Sequence, residues 1–288
     1  MEDTEEQYIA TDEEKLSIIQ YFVTKCPPGQ GKLLINDIQQ LPCASLLTTE
    51  NVSQMFHAYN LATYQVITNS LSDHNLIVSQ ETDRGNDIIY DPISEKYYLV
   101  DHYEQTVKEE AQFQEEKITG PIIEIQKQIQ EALNSYIKTS YIGELIGAIV
   151  VATSDNEFSI IISGETKKLR SYWSGKWTSH FTGKLENNII HLEGNVKIHT
   201  HFYENGNVQM NDEKVYSSST FDTQSKEYAT TLVNSIKQFE SGLQGNLDGM
   251  FVCMKTDVIK SLRRLLPRTQ MKFQWNVNAH LIVRDLRQ

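Results

Sequence analysis

IIHLEGNVKIHTHFYENGNVQMNDEKV, residues 189–215, decides the fold. Ile189 to Tyr203 reads as one long strand. Asn205-Gly206 follows, and because both residues tolerate positive φ the pair predicts a tight hairpin turn into a further strand, Val208 to Val215. Working outward, Leu145 to Ala152 and Phe158 to Ile162 flank the turn Ser154-Asp155-Asn156, and Trp177 to Phe181 makes a third run. Connections this short imply an antiparallel meander of five strands, since parallel strands need long crossovers. After it a long helix is expected from about Phe221, with Leu232, Ile236, Phe239, Leu243 and Leu247 as its apolar stripe. Gly242, Gly245 and Gly249 weaken that helix by about 1 kcal/mol each against Ala. The stripe is expected to lie on the sheet, because neither element can leave its apolar face in water.

Upstream of the meander the texture is mostly helical. Thr11 is placed to cap a helix whose first turn holds Asp12, Glu13 and Glu14, with Glu14 closing a capping box. Leu16, Ile19, Phe22 and Val23 stripe it, and Pro27-Pro28-Gly29 stops it. Leu33 to Ile38 and Thr49 to Leu61 predict two more helices. From Val66 to Asp101 short runs with turn punctuation take over: Leu76-Ile77-Val78, Ile88-Ile89-Tyr90 and Tyr97 to Val100 predict a small β-rich lobe. Glu104 to Lys117 is dense in Glu and Gln and is expected to be a linker or helix start. Pro121 then opens a helix with Ile122, Ile125, Ile129, Leu133, Tyr136 and Ile137 on one face.

Charge is distributed unevenly. The last 34 residues, Lys255 to Gln288, hold eight basic residues against Asp257 and Asp285, a local charge of +6. The chain as a whole is −12, which leaves −18 on the first 254 residues. A basic tail on an acidic body points to an acidic partner, and the acidic body argues against nucleic acid. The tail is also apolar: beyond Pro267, Trp275, Ala279, Ile282 and Leu286 fall at helical steps on one face. Either the tail docks on its own core, or it is a cationic amphipathic arm held out for a partner.

No run of 18 apolar residues is present, and residues 2–14 are acidic with no apolar run, unlike a signal peptide. Cys26, Cys43 and Cys253 fit neither a disulfide framework nor a zinc site, so a reduced, intracellular setting is expected. Gly29-Gln30-Gly31-Lys32 lacks the glycine gap of a phosphate-binding loop, and Leu33 stands where Ser or Thr is needed. Asp83, Asp87 and Asp91 have poor calcium-loop spacing. For catalysis the best candidate is His199-Thr200-His201, whose imidazoles face one side of a strand and reach a metal if Glu204, His191 or His180 supplies a third ligand. Structural histidines on a sheet explain the same letters. A membrane-surface protein using the tail as an interfacial helix is a further reading.

Three motifs add a resemblance. His201-Phe202-Tyr203-Glu204-Asn205-Gly206-Asn207-Val208 closely resembles a signature of the F-actin capping protein α subunit family, and Lys260-Ser261-Leu262-Arg263-Arg264-Leu265-Leu266-Pro267 resembles the second. Trp173-Ser174-Gly175-Lys176-Trp177 is similar to the family's Trp-Asn-Gly-Arg-Trp element. Weaker echoes at Pro27-Pro28-Gly29, Phe56-His57-Ala58-Tyr59-Asn60 and Gly85-Asn86 are collinear with these, so the resemblance covers residues 12–280.

The resemblance implies an α+β chain: an acidic disordered N-terminus (1–10), helical stalk (11–65), small β-rich globule and linker (66–118), helix and five-stranded antiparallel sheet (119–218), long helix (219–266) and basic amphipathic tail (267–288). It also implies an obligate heterodimer in which a homologous β subunit completes the sheet, with Trp173, Trp177, His201, Tyr203, Glu204, Gly206 and Asn207 as signature and heterodimer-core residues. The implied activity is calcium-independent capping of filament barbed ends, which blocks subunit exchange and needs no cofactor. Lys260 and Arg264 match family actin-binding positions, and Arg263, Arg268, Lys272, Trp275, Ile282 and Leu286 complete the expected actin site. Gln270 departs from a third basic position, for which Arg268 is the expected substitute. Polyphosphoinositides and capping regulators are implied as further ligands, in a cytoplasmic, cytoskeletal setting.

Overall fold

The computed structural model describes residues 10–115, 118–143, 145–203 and 208–253. The chain divides into two compact units, 1–237 and 238–288.

The first unit begins with three helices, α1 (Asp12–Thr24), α2 (Gly31–Ile38) and α3 (Thr49–Thr63). Thr11 caps α1, and the reciprocal bond from its own N–H to Glu14 closes the capping box at 2.8 Å. Thr48 caps α3 by accepting from Asn51 N–H. Ile19, Val23, Ile35, Ile38, Met55, Phe56 and Tyr59 converge from the three helices into one core.

A two-stranded ribbon follows, β1 (Gln65–Ile67) with β2 (Leu76–Val78), then a three-stranded sheet of β3 (Ile88–Asp91), β4 (Lys96–Asp101) and β5 (Thr106–Ala111). The third strand departs from the sequence expectation of a linker or helix start in this Glu- and Gln-rich stretch. Val107 lies opposite Val100 in the β4 ladder, and that pairing overrides the weak strand propensity of the glutamates around it.

Helix α4 (Pro121–Ser140) leads into the meander β6 (Leu145–Ala152), β7 (Glu157–Lys168), β8 (Trp173–Glu186), β9 (Ile189–Phe202) and β10 (Val208–Asp222), which lie in the order β10-β9-β8-β7-β6, all antiparallel. The expected five strands are present; β6 and β9 match their expected bounds to within a residue, while β7, β8 and β10 are longer than the apolar runs suggested. β10 continues to Asp222, so the last helix, α5 (Tyr228–Cys253), starts later than Phe221. The reason is register: Asp222 still pairs with Ile189, which holds residues 219–222 in the ladder beyond a bulge after Tyr216.

The β1–β2 ribbon covers one face of the sheet at β6 and β7, where Val66 and Ile77 pack on Ile149, Val151 and Ile161. Gly147 permits this approach, since a Cβ there would lie 2.7 Å from the Ile77 side chain. The alternate row, Val150, Ile160, Phe181 and Tyr216, faces the other way. There α4 buries Ile122, Ile125, Ile129 and Leu133, and Tyr216 Oη lies 2.6 Å from Ser235 Oγ at the start of α5. Along α5, Leu232, Ile236 and Leu243 of the expected stripe are buried.

Candidate functional site

The Trp173 to Trp177 element and the described start of the other signature, His201 to Tyr203, sit side by side. β8 and β9 pair so that Trp173 lies opposite Phe202, Ser174 opposite His201 and Trp177 opposite Ile198. Tyr172, at φ 52°, turns the chain into β8, and its carbonyl accepts from Tyr203 N–H at 2.9 Å. The Tyr172 and Tyr203 rings meet edge to face, and Tyr203 also stacks on His201 at 5.1 Å. Lys168 Nζ sits over the Trp173 ring, and Trp177 Nε1 donates to Ser179 Oγ.

The Pro27-Pro28-Gly29 segment between α1 and α2 docks on this end of the sheet. Gln30 Nε2 lies 2.7 Å from His201 Nδ1, and Lys167 Nζ donates to the Gly29 carbonyl. Gly29 has φ 70°, a conformation that favours glycine, and a Cβ there would also make the Lys167 side chain shift, lying 2.9 Å from its Cδ. His201 is therefore a joint residue that ties helices to sheet. The metal reading of His199 and His201 is set aside on this geometry: His201 engages Gln30, and His180 Nε2 binds Glu81 at 3.0 Å. Among the described residues no three His, Cys, Asp or Glu groups converge as a metal site.

Beside the joint lies a buried ionic cluster that sequence reasoning missed. Lys176, inside the Trp-rich signature, places Nζ 2.7 Å from Gln65 Oε1 and 3.3 Å from Glu165 Oε2. Its side chain is 5% exposed and that of Glu165 6%. Burial pushes the Lys176 pKa down, opposed by Glu165. Three strands from different parts of the chain meet here, β1, β7 and β8, so the cluster clips the small lobe to the sheet. Its sequence signal is slight: one lysine between Gly175 and Trp177 in a strand.

Histidine–carboxylate pairs extend the clip. His57 on α3 binds Asp83 at 2.9 Å, and His180 on β8 binds Glu81, so the loop after β2 is held from both sides. Burial raises the Glu81 pKa, but hydrogen bonds from His180, the backbone and Ser79 together outweigh it and the net direction is down. His102, its ring 4.5 Å from that of His57 and tilted against it, is fully buried, and burial first, then His57, depress its pKa to about 4.

Between α1, α3 and strands β8 to β10 runs a groove of about 730 Å³, lined by Tyr21, Lys25, Tyr64, Lys197, His199 and Asp212 among others. Gln209, Asn211, Asp212 and Glu213 of β10, the terminal strand of the order, line one part of it. That strand is exposed along most of its length, with Val208 63% and Val215 71% accessible. The outer face of α1 is also bare, with Ile18, Tyr21 and Phe22 each more than half exposed. The expected actin residues Lys260, Arg263, Arg264, Arg268, Lys272, Trp275, Ile282 and Leu286 lie outside the described residues, as do Glu204, Gly206 and Asn207.

The described chain thus combines a helix trio, a β-rich lobe and a five-stranded antiparallel meander. The fold matches that of a homodimeric actin capping protein alpha subunit from Plasmodium berghei, with a TM-score of 0.74 at 18% identity over 90% of this chain and 99% of that one. The chain belongs to the F-actin capping protein alpha subunit family, whose pattern matches residues 19–285. It is 27% identical over 275 residues to the F-actin-capping protein subunit alpha of Caenorhabditis elegans, covering 92% of this chain and 94% of that protein. Against the subunit alpha of Chaetomium thermophilum it is 26% identical over 259 residues, 90% of each.

Proposed function

We propose that this chain is the α subunit of a heterodimeric F-actin capping protein that binds filament barbed ends without calcium and blocks subunit exchange there. The observation that carries the reading is the reach of the family match, residues 19–285, which includes the Lys260 to Pro267 signature and the basic, apolar stretch after it. A net +6 over Lys255 to Gln288 suits acidic actin surfaces: steering of this kind raises association rates by roughly 10–10³-fold and weakens with salt. Burial of Trp275, Ile282 and Leu286 then slows release. The same basic residues suit polyphosphoinositide headgroups. No step in this reading is catalytic, and its setting is the cytoplasmic actin cytoskeleton.

The β subunit joins at the bare edge of β10. An open strand edge is an association hazard unless covered, and the exposed apolar residues of α1 lie in the same unit. A second reading, assembly with another copy of this chain, is favoured by the homodimeric Plasmodium berghei neighbour. Co-expression with a β subunit and a mass measurement separate the two.

The test of function is seeded actin elongation at the barbed end, run with and without a calcium chelator. Inhibition at substoichiometric amounts is expected, with slower capping by the folded Lys260→Glu/Arg264→Glu heterodimer. Unchanged kinetics in that double variant would overturn the tail assignment, and no inhibition by a folded heterodimer would overturn capping itself.

A further inference from the structure

The sheet has two edges, and among the described residues one is bare and the other covered. β6 runs LIGAIVVA, with no charge and no proline in eight residues, the composition of a strand prone to unwanted pairing. Yet three of its outward carbonyls and one outward N–H are bonded by side-chain amides. Asn75 Nδ2 donates to the Ile146 carbonyl at 2.9 Å, and Gln130 Nε2 to the Ala148 carbonyl at 3.1 Å. At Val150, Gln126 Nε2 donates to the carbonyl at 2.9 Å, while the N–H donates to Gln130 Oε1 at 2.7 Å. Residues 146, 148 and 150 share one side of the strand by its two-residue period, the side away from β7.

The fit follows from two repeat lengths. One helical step of four residues rises about 6 Å, and two residues along a strand advance about 6.8 Å. Gln126 and Gln130, one turn apart on α4, therefore meet Val150 and Ala148, two apart on an antiparallel β6. Gln130 also donates to Asn134 Oδ1 at 2.9 Å, which fixes the orientation of its amide. Side-chain amides stand in for a neighbouring strand because each carries the donor and acceptor of a peptide group.

We propose that this amide ladder is a stop that limits assembly to two chains. The inference rests on the proposed pairing at β10 with one β subunit. Such a pairing places β6 at the outer end of the joined sheet. An unsealed apolar β6 would offer that end to a further complex, and an edge contact that does not close grows into an open fibre. With the carbonyls of Ile146, Ala148 and Val150 and the Val150 N–H already bonded, a further strand must displace these side-chain amides before it can pair there.

The test uses the co-expressed complex carrying Gln126→Leu/Gln130→Leu, which keeps side-chain bulk and removes both amides. Sedimentation velocity at rising concentration should give two chains for wild type and multiples of that mass for the variant. Hydrogen exchange reads the seal directly, and Val150 N–H should exchange at least ten-fold faster in Gln130→Leu. A variant that holds two chains at every concentration while Val150 exchanges freely overturns the stop, and unchanged Val150 exchange overturns the seal. Gln126→Lys/Gln130→Lys, which still donates to the carbonyls and adds charge, should remain at two chains. Aggregation of this pair too would mean lost folding, not an opened edge, and would overturn the proposal. Wild type at the mass of one chain removes the β10 pairing instead, and the exchange measurement then judges the seal by itself.

Discussion

β6 and β10 are both terminal strands of one sheet, yet they are built on opposite plans. β6 is apolar and enclosed: Val66 and Ile77 of the ribbon lie on one face, α4 packs on the other, and amides occupy its edge. β10 is exposed and carries Asp212, Glu213, Lys214 and Asp222. An apolar edge must be covered within its own chain, because any strand could pair with it. A charged edge rejects most strands by desolvation and repulsion, so it can stay bare until a complementary partner arrives. The difference teaches that an edge strand is specified as much by what surrounds it as by its own propensity.

The largest effect should come from the clip that fastens the enclosed half. Glu165→Leu leaves the Lys176 ammonium buried without its carboxylate, a loss of ~3–5 kcal/mol, read as a fall in the thermal or denaturant midpoint of the complex. If the midpoint holds, Gln65 alone suffices for Lys176 and the clip is not ionic.

The bare edge should respond in association and not in folding. Val208→Asp/Val215→Asp adds like charge to a strand already holding Asp212 and Glu213, and is expected to weaken pairing about 100-fold, ~3 kcal/mol, by sedimentation equilibrium. Undiminished association would mean that the joint lies elsewhere, with the bare face of α1 the first candidate.

The smallest effect is a pH dependence in the lobe beside β6. His74 Nε2 bonds Asp91 Oδ2 at 2.7 Å, and that bond raises the histidine's pKa above 6.5 against the opposing effect of burial. Burial would raise the Asp91 pKa, but bonds from His74 and Ser94 bring it below 3.8. A raised histidine stabilises fully below its unfolded pKa and loses the contribution as pH rises through the folded one. A depressed carboxyl stabilises above its unfolded pKa and loses that as pH falls through the folded one. The melting difference between wild type and His74→Asn should therefore be widest between roughly pH 4 and 6.5, near 1 kcal/mol, and shrink toward pH 8. A difference that grows with pH would reverse the assignment.

Local signals carried most of the fold. The capping box at Thr11 and Glu14, the Pro121 helix start and the alternation of apolar runs from Leu145 onward are short-range chemistry, and each is where the sequence places it. The family motifs were legible for the same reason, being contiguous in the chain. What stayed hidden depends on residues far apart in sequence. Gln65, Glu165 and Lys176 look like ordinary surface polar residues until three strands bring them together. Gln126 and Gln130 look like the solvent side of an amphipathic helix until β6 is laid against them. β5 reads as helix or linker until β4 offers Val107 a partner. Periodicity and caps act over a few residues and are written in the chain; the satisfaction of buried charges and strand edges is a pairwise property, decided only when the tertiary structure supplies the other half.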